Sequence, residues 1–306
     1  MAFHLSCHRV RVSQTLGAAL LVSLVSIALP TPTFGQEARP DSVGPLLTQA
    51  SMNVFRRFAA DREKMLTFYG DVLALRPLPT INMPGGGQMV LFQVGTSQVK
   101  LQSTPAASEY KSGAVQEVVG LRVLTFFYGD ERAVTARFTQ HGYAPPAFRR
   151  SPDGTSRAMV RDPDGQWVEL VIAPGAPAAT FDRIEIGLTV SDLAKSRAFY
   201  REFVGLQELP PATDTLLETT KYPFRHGTTT INLWSFGSGR PVNTRSAGIQ
   251  YIVSDVVKVD ALAKAQSVKI DQPLGNFSAT LRTIWLADPD GVTNYFAQFV
   301  RNSPSQ

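Results

Sequence analysis

Residues 61–78 read DREKMLTFYGDVLALRPL, and residues 192–209 read DLAKSRAFYREFVGLQEL. Both stretches open on an aspartate, Asp61 or Asp192. Both carry Phe-Tyr seven and eight positions later, and Leu75 and Leu78 answer to Leu206 and Leu209. Farther on, Asp162-Pro163-Asp164-Gly165 returns as Asp288-Pro289-Asp290-Gly291. Two markers in the same order, at nearly the same offset, are the signature of a duplicated unit.

The periodicity around these markers alternates between strand and helix. Residues 52–58 read as a strand, and Asp61 caps a helix to about Leu73 that buries Phe68 and Tyr69. Gly85 to Gly87 reads as a hairpin turn separating two strands, the second being Gln98 to Ser103. It precedes no helix and lacks phosphate-loop spacing. A strand from Val118 to Phe127 then leads into a helix from Glu131 to about Gln140, with His141 as its C-terminal cap. Asp-Pro-Asp-Gly is a hairpin turn, because Pro sets φ, Asp bonds local backbone and Gly takes positive φ. A strand, a helix and three strands therefore recur about twice per copy. The expected class is α+β, with four βαβββ modules.

Both markers, duplicated in register over residues 51–300, resemble the vicinal oxygen chelate superfamily, which holds glyoxalases, bleomycin-resistance proteins and extradiol dioxygenases. The resemblance implies two tandem domains with open, cup-shaped sheets, residues 51–173 and 181–300, joined by a linker at 174–180. It also implies a metal inside the cup, held by His, Glu and Gln on the first and last strands of each module. Counted from the markers, those positions fall on Val54, Glu169, Glu185 and Tyr295. Alignment adds Lys100 and Val123, then Asn232 and Gly248 to Gln250. Histidine is missing from all of them. The expected ligand-binding set is Arg56, Lys100, Glu169, Glu185, His226, Asn232, Gln250 and Tyr295. Of these, Glu169, Glu185 and Asn232 are the best metal donors, should modules pair across the copies. Trp167 shares the face of Glu169 and reads as barrel packing. His226 shares the parity of Asn232 if Gly227 does not interrupt the strand.

Two functions compete on this reading. One is a protein that binds a small organic molecule in a cup whose metal site is degenerate, with no cofactor. The other is a metal-dependent lyase, isomerase or dioxygenase using Glu169 and Glu185 with a divalent ion. Kinship of fold does not choose between them.

The N-terminus points to export. Arg9 and Arg11 precede the uncharged run Leu16 to Leu29, and small residues follow to Gly35. That is the build of a cleaved signal peptide over residues 1–35. Residues 36–50 would then be a linker, residues 301–306 a tail, and the location periplasmic or secreted. The single cysteine, Cys7, lies in the leader, so disulfides, thiolate metal sites and cysteine nucleophiles are not expected in the mature chain. With 43% apolar residues and 18% charged, the 306-residue chain is globular. Its net charge of +5 is spread without a basic run, which offers nothing for nucleic acid. No membrane contact beyond the leader is expected, and the chain is a monomer or homodimer.

Overall fold

Four times along the chain a strand runs into a helix capped by an aspartate. A computed structural model describes residues 41–83, 87–104, 113–243 and 247–300. The leader with Cys7, the turn glycines Gly85 and Gly86, and the tail at 301–306 lie outside the described residues. Strand β1 (Asn53–Phe58) precedes α1 (Arg62–Thr67), β5 (Gly120–Tyr128) precedes α2 (Glu131–Gln140), β9 (Ile184–Val190) precedes α3 (Leu193–Ala198), and β14 (Ala247–Ile252) precedes α4 (Val256–Ala265). Each cap takes up backbone amides that the first helical turn leaves without partners. Asp61 accepts from Lys64, Asp130 from Arg132 and Ala133, Asp192 from Lys195, and Asp255 from Val257 and Lys258. The helices α1 and α3 widen into a π turn, Phe68–Val72 and Phe199–Phe203, which turns Phe-Tyr into the core.

The remaining strands complete the modules. They are β2 (Arg76–Asn82), β3 (Gln88–Val94), β4 (Ser97–Ser103), β6 (Arg149–Arg150), β7 (Ser156–Arg161), β8 (Trp167–Ile172), β10 (Gln207–Glu208), β11 (Ala212–Asp214), β12 (Thr219–His226), β13 (Thr229–Ser235), β15 (Ile270–Ser278), β16 (Leu281–Ala287) and β17 (Thr293–Phe299). Strand β3 stands between the Gly87 turn and Gln98, where the sequence reading had none. The Asp-Pro-Asp-Gly turns join β7 to β8 and β16 to β17. Asp162 Oδ1 and Asp288 Oδ1 accept backbone amides of the turn, and Gly165 and Gly291 take positive φ.

Modules pair across the copies. The first sheet runs β15-β16-β17-β14-β1-β4-β3-β2, from the first and fourth modules. The second runs β10-β12-β13-β9-β5-β8-β7-β6, from the second and third, with β11 on β12. One face of each sheet, with the helices, enters a single apolar core that includes Val54, Phe58, Phe68, Tyr69, Leu124, Phe126, Tyr200 and Phe296. Equivalent hairpins meet where the sheets adjoin: Ser97 Oγ and Thr229 Oγ1 are 2.8 Å apart. Residues 41–50 pack as well, with Val43 and Leu46 buried and Leu47 bridging Val253.

Candidate functional site

Strand parity decides which side chains leave the core for the opposite, hollow face of each sheet. In the first sheet Phe55 pairs with Gly248 on one side and Lys100 on the other. Asn53, Phe55 and Arg57 therefore share a face with Lys100, Gln102, Gly248, Gln250 and Tyr295. In the second sheet Glu185 pairs with Thr125 and Thr230, and Thr125 with Glu169. Asn232 lies two residues beyond Thr230 on the same face. Register makes the two hollows equivalent: Asn53, Lys100, Gln250 and Tyr295 correspond to Glu185, Asn232, Thr125 and Glu169.

Two expectations are overturned here. Val54 is not a hollow position, because it is buried in the core. Two residues, Ala59 and Ala60, separate β1 from Asp61, whereas Ser191 alone separates β9 from Asp192. Counting back from the cap therefore lands one residue off and on the wrong face. The extra amide is held, since Ala59 and Ala60 both donate to Asp164 Oδ1 at 3.1 and 2.9 Å. Arg56 shares the error. Its guanidinium is buried against Asp162 and Asp164 of the second module's hairpin, so it faces neither a ligand nor Glu169. Val123 does line the second hollow, but the position matching Gln250 is Thr125.

The first hollow is open. A cavity of about 260 Å³ is lined by Phe55, Arg57, Met89, Lys100, Gln102, Gln250, Trp285 and Tyr295, with Ile81 and Phe277 at the two edge strands. Its aromatic wall is continuous: Tyr295 stacks on Trp285 with centroids 5.1 Å apart, and Phe55 meets Tyr295 edge-on at 5.3 Å. Lys100 Nζ donates to Gln250 Oε1 at 2.6 Å, and Asn53 Nδ2 donates to the same oxygen at 2.9 Å. Burial lowers the Lys100 amine to about 8, since the charged form loses hydration. Burial raises the Tyr295 phenol.

The second hollow is filled. Glu169 accepts from Arg157 at 2.9 Å and Thr125 at 2.8 Å. Glu185 accepts from Arg183 at 2.9 Å and Asn232 at 2.7 Å, and Lys221 stands 3.8 Å away. Burial raises the Glu169 carboxyl, and the Arg157 guanidinium opposes that shift. Leu216, Leu217 and Trp234 close over Glu169 and leave no space the size of a water molecule there. Trp167 packs against the cluster of Val115, Val123 and Trp234, under the Arg161 guanidinium at 3.9 Å, and donates from Nε1 to Gly113 O. His226 ends β12 at the Gly227 turn, so it does not share a strand with Asn232. Its Nε2 lies 2.6 Å from Gln49 O.

These donors do not suit a divalent cation. In the first hollow an ammonium occupies the amide oxygen, and the other positions are Asn53 and Tyr295. In the second, guanidinium and ammonium groups engage both carboxylates, and Asn232 turns its amide N–H₂ to Glu185. Among the described residues no three His, Cys, Asp or Glu cluster as metal ligands. Sequence reasoning missed Arg57, Phe55 and Trp285 of the open hollow. The alternation of β1 around Asn53 would have exposed the first two, whereas Trp285 emerges only from its pairing with Tyr295.

The fold has solved counterparts. Glyoxalase I from Zea mays superposes with a TM-score of 0.61 at 19% identity, over 80% of this chain and 91% of that one. A Bacillus subtilis protein described as a proposed dioxygenase gives 0.60 at 15%, over 84% and 86%. No curated protein matches the chain. The model of the Glyoxalase/Bleomycin resistance protein/Dioxygenase superfamily matches residues 51–170 and again 180–296. The chain belongs to that superfamily, as two tandem glyoxalase-like domains.

Proposed function

We propose that the protein is an exported member of the superfamily that binds a small organic molecule in its first hollow, with the usual metal site degenerate. The observation that carries this reading is the aromatic-walled cavity with Lys100 and Gln250 on its floor. It combines apolar surface, which drives binding, with a few convergent polar groups, which orient a ligand. Lys100 takes one of the positions a metal ligand would hold, so fixed positive charge is provided by the chain itself. The competing enzyme built on Glu169 and Glu185 gains no support, because those carboxylates are ion-paired in a filled hollow.

Binding is read by tryptophan fluorescence. Trp285 lines the cavity, whereas Trp167 and Trp234 belong to the second sheet. A ligand from a panel of aromatic, sugar-derived and keto-acid compounds should shift the emission, and Trp285→Phe should remove the response. No response to any of them would refute the reading. Export is tested separately, by N-terminal sequencing of the mature chain from the producing cell, which should begin after Gly35.

A further inference from the structure

Charge in the open hollow is one-sided. Lys100 and Arg57 line the cavity, and among the described residues its lining includes no aspartate or glutamate. Among the described residues the partner of the Lys100 ammonium is a neutral amide oxygen, and burial is the cause of its shift in acidity. Arg57, half-buried, makes no hydrogen bond or ion pair among the described residues. Outside Arg57 a polar depression includes Asp271 and Asp290. Both are engaged there, Asp271 by Lys269 at 3.3 Å and Asp290 by Ser191. A buried ammonium without a counter-charge is an unfavourable arrangement that an anion would complete.

The walls restrict what carries that anion. Phe55, Trp285 and Tyr295 present ring faces and edges suited to a flat partner. A cavity of about 150 Å³ accommodates benzene, so about 260 Å³ has room for one or two fused rings with a small polar group. Gln250 and Gln102 add amide donors beside the cations.

We infer that the ligand of this hollow is an aromatic carboxylate, its ring against Phe55, Trp285 and Tyr295 and its carboxylate on Lys100 and Arg57. The inference rests on the binding reading above and narrows it to one chemical class. A carboxylate shared by two cations gains charge-assisted hydrogen bonds that an isosteric amide cannot make.

The test is calorimetric titration of the full mature chain with three matched probes: naphthoate, naphthamide and naphthylmethylammonium. Naphthoate should bind at least tenfold more tightly than naphthamide, and the cation should not bind measurably. Lys100→Met and Arg57→Gln should each reduce that preference, with folding checked by near-ultraviolet circular dichroism. Equal binding of naphthoate and naphthamide, or preference for the cation, would overturn the carboxylate assignment while leaving the hollow a binding site. Binding of none of the three would overturn the binding reading for aromatic ligands, and this inference with it. The comparison is made on the unaltered protein, so it stands even if a variant fails to fold.

Discussion

The Tyr69 hydroxyl donates to Asp162 Oδ2 at 2.9 Å, and the Tyr200 hydroxyl repeats the bond on Asp288 Oδ2 at 3.0 Å. The two markers that reveal the duplication are thus the two ends of one hydrogen bond. Each bond also spans the sheets: Tyr69 belongs to the first sheet's module and Asp162 to a hairpin of the second, and Tyr200 and Asp288 reverse the arrangement. All four groups are buried; losing the Tyr200 donor leaves Asp288 Oδ2 without a partner among the described residues, whereas Asp162 Oδ2 keeps Arg56. Tyr200→Phe should cost about 1–3 kcal/mol and Tyr69→Phe about 0.5–1.5 kcal/mol. Urea unfolding measures it, and no loss in either variant would show that the bonds are incidental.

Asp288 makes stability depend on pH. Its folded carboxyl is raised to about 7, chiefly by burial, despite acceptance from Val292, Asp290 and Tyr200. The unfolded carboxyl titrates near 3.9. Between these values the folded state keeps a proton that the unfolded state has released, so stability falls as pH rises, by no more than about 1.4 kcal/mol per pH unit. Asp162 and Glu169 are raised in the same direction. Asp288→Asn should therefore reduce the slope between pH 5 and 7. An unchanged slope, from urea midpoints across that range, would refute the assignment.

Adjacent arginines on β1 have separate roles because parity sends them to opposite faces. Arg56 is buried on Asp162 and Asp164, so Arg56→Met strands two carboxylates and should cost about 3–5 kcal/mol. Arg57→Gln removes a guanidinium with no carboxylate partner among the described residues and should change stability by about 0.5 kcal/mol or less. Equal losses on thermal unfolding would contradict the faces assigned here.

Much of this was legible. Helix caps at Asp61 and Asp192, the Asp-Pro-Asp-Gly hairpins and the four modules follow from local chemistry that each segment carries alone. Asp130 and Asp255 cap the other two helices, but α2 and α4 lack Phe-Tyr, so that part of the repeat escaped notice. Pairing across the copies was only one of two options, because apolar strands of equal alternation suit either partner. It shows only in the long-range strand pairings of β1 with β14 and of β5 with β9. For the same reason the site was half legible. Lys100, Gln250 and Tyr295 meet in the first hollow and Glu169, Glu185 and Asn232 in the second, yet the loop carrying Leu216 and Leu217, which fills the second, is fixed only in three dimensions.

Gly248 keeps the open hollow open. A Cβ there would run into the Phe55 ring and stand 2.6 Å from Thr293 O, a backbone atom. Gly248→Ala should push Phe55 toward the cavity, destabilise the protein by about 1–3 kcal/mol and weaken ligand binding. Calorimetry with naphthoate and urea unfolding test both effects, and an alanine variant of unchanged affinity and stability would remove the role given to this glycine.

Lys100 gives binding and stability opposite responses to alkali. Of the groups facing it across the cavity, Arg57 carries a guanidinium and the Tyr295 phenol is held up by burial. The amine, at about 8, is therefore the lining group that titrates in the mildly alkaline range. An aromatic carboxylate binds the ammonium form, so its affinity should be level below about pH 7 and fall as pH rises through 8, by up to tenfold per unit. Without ligand the sign reverses: from about 8 to the ordinary lysine value near 10.4, the unfolded chain holds the extra proton, so this group makes stability rise with pH. Titrations with naphthoate from pH 6 to 9.5, paired with urea unfolding, read both trends. Lys100→Met should flatten the binding profile, and an affinity that stays level through pH 9 in the unaltered protein would remove the ammonium from recognition.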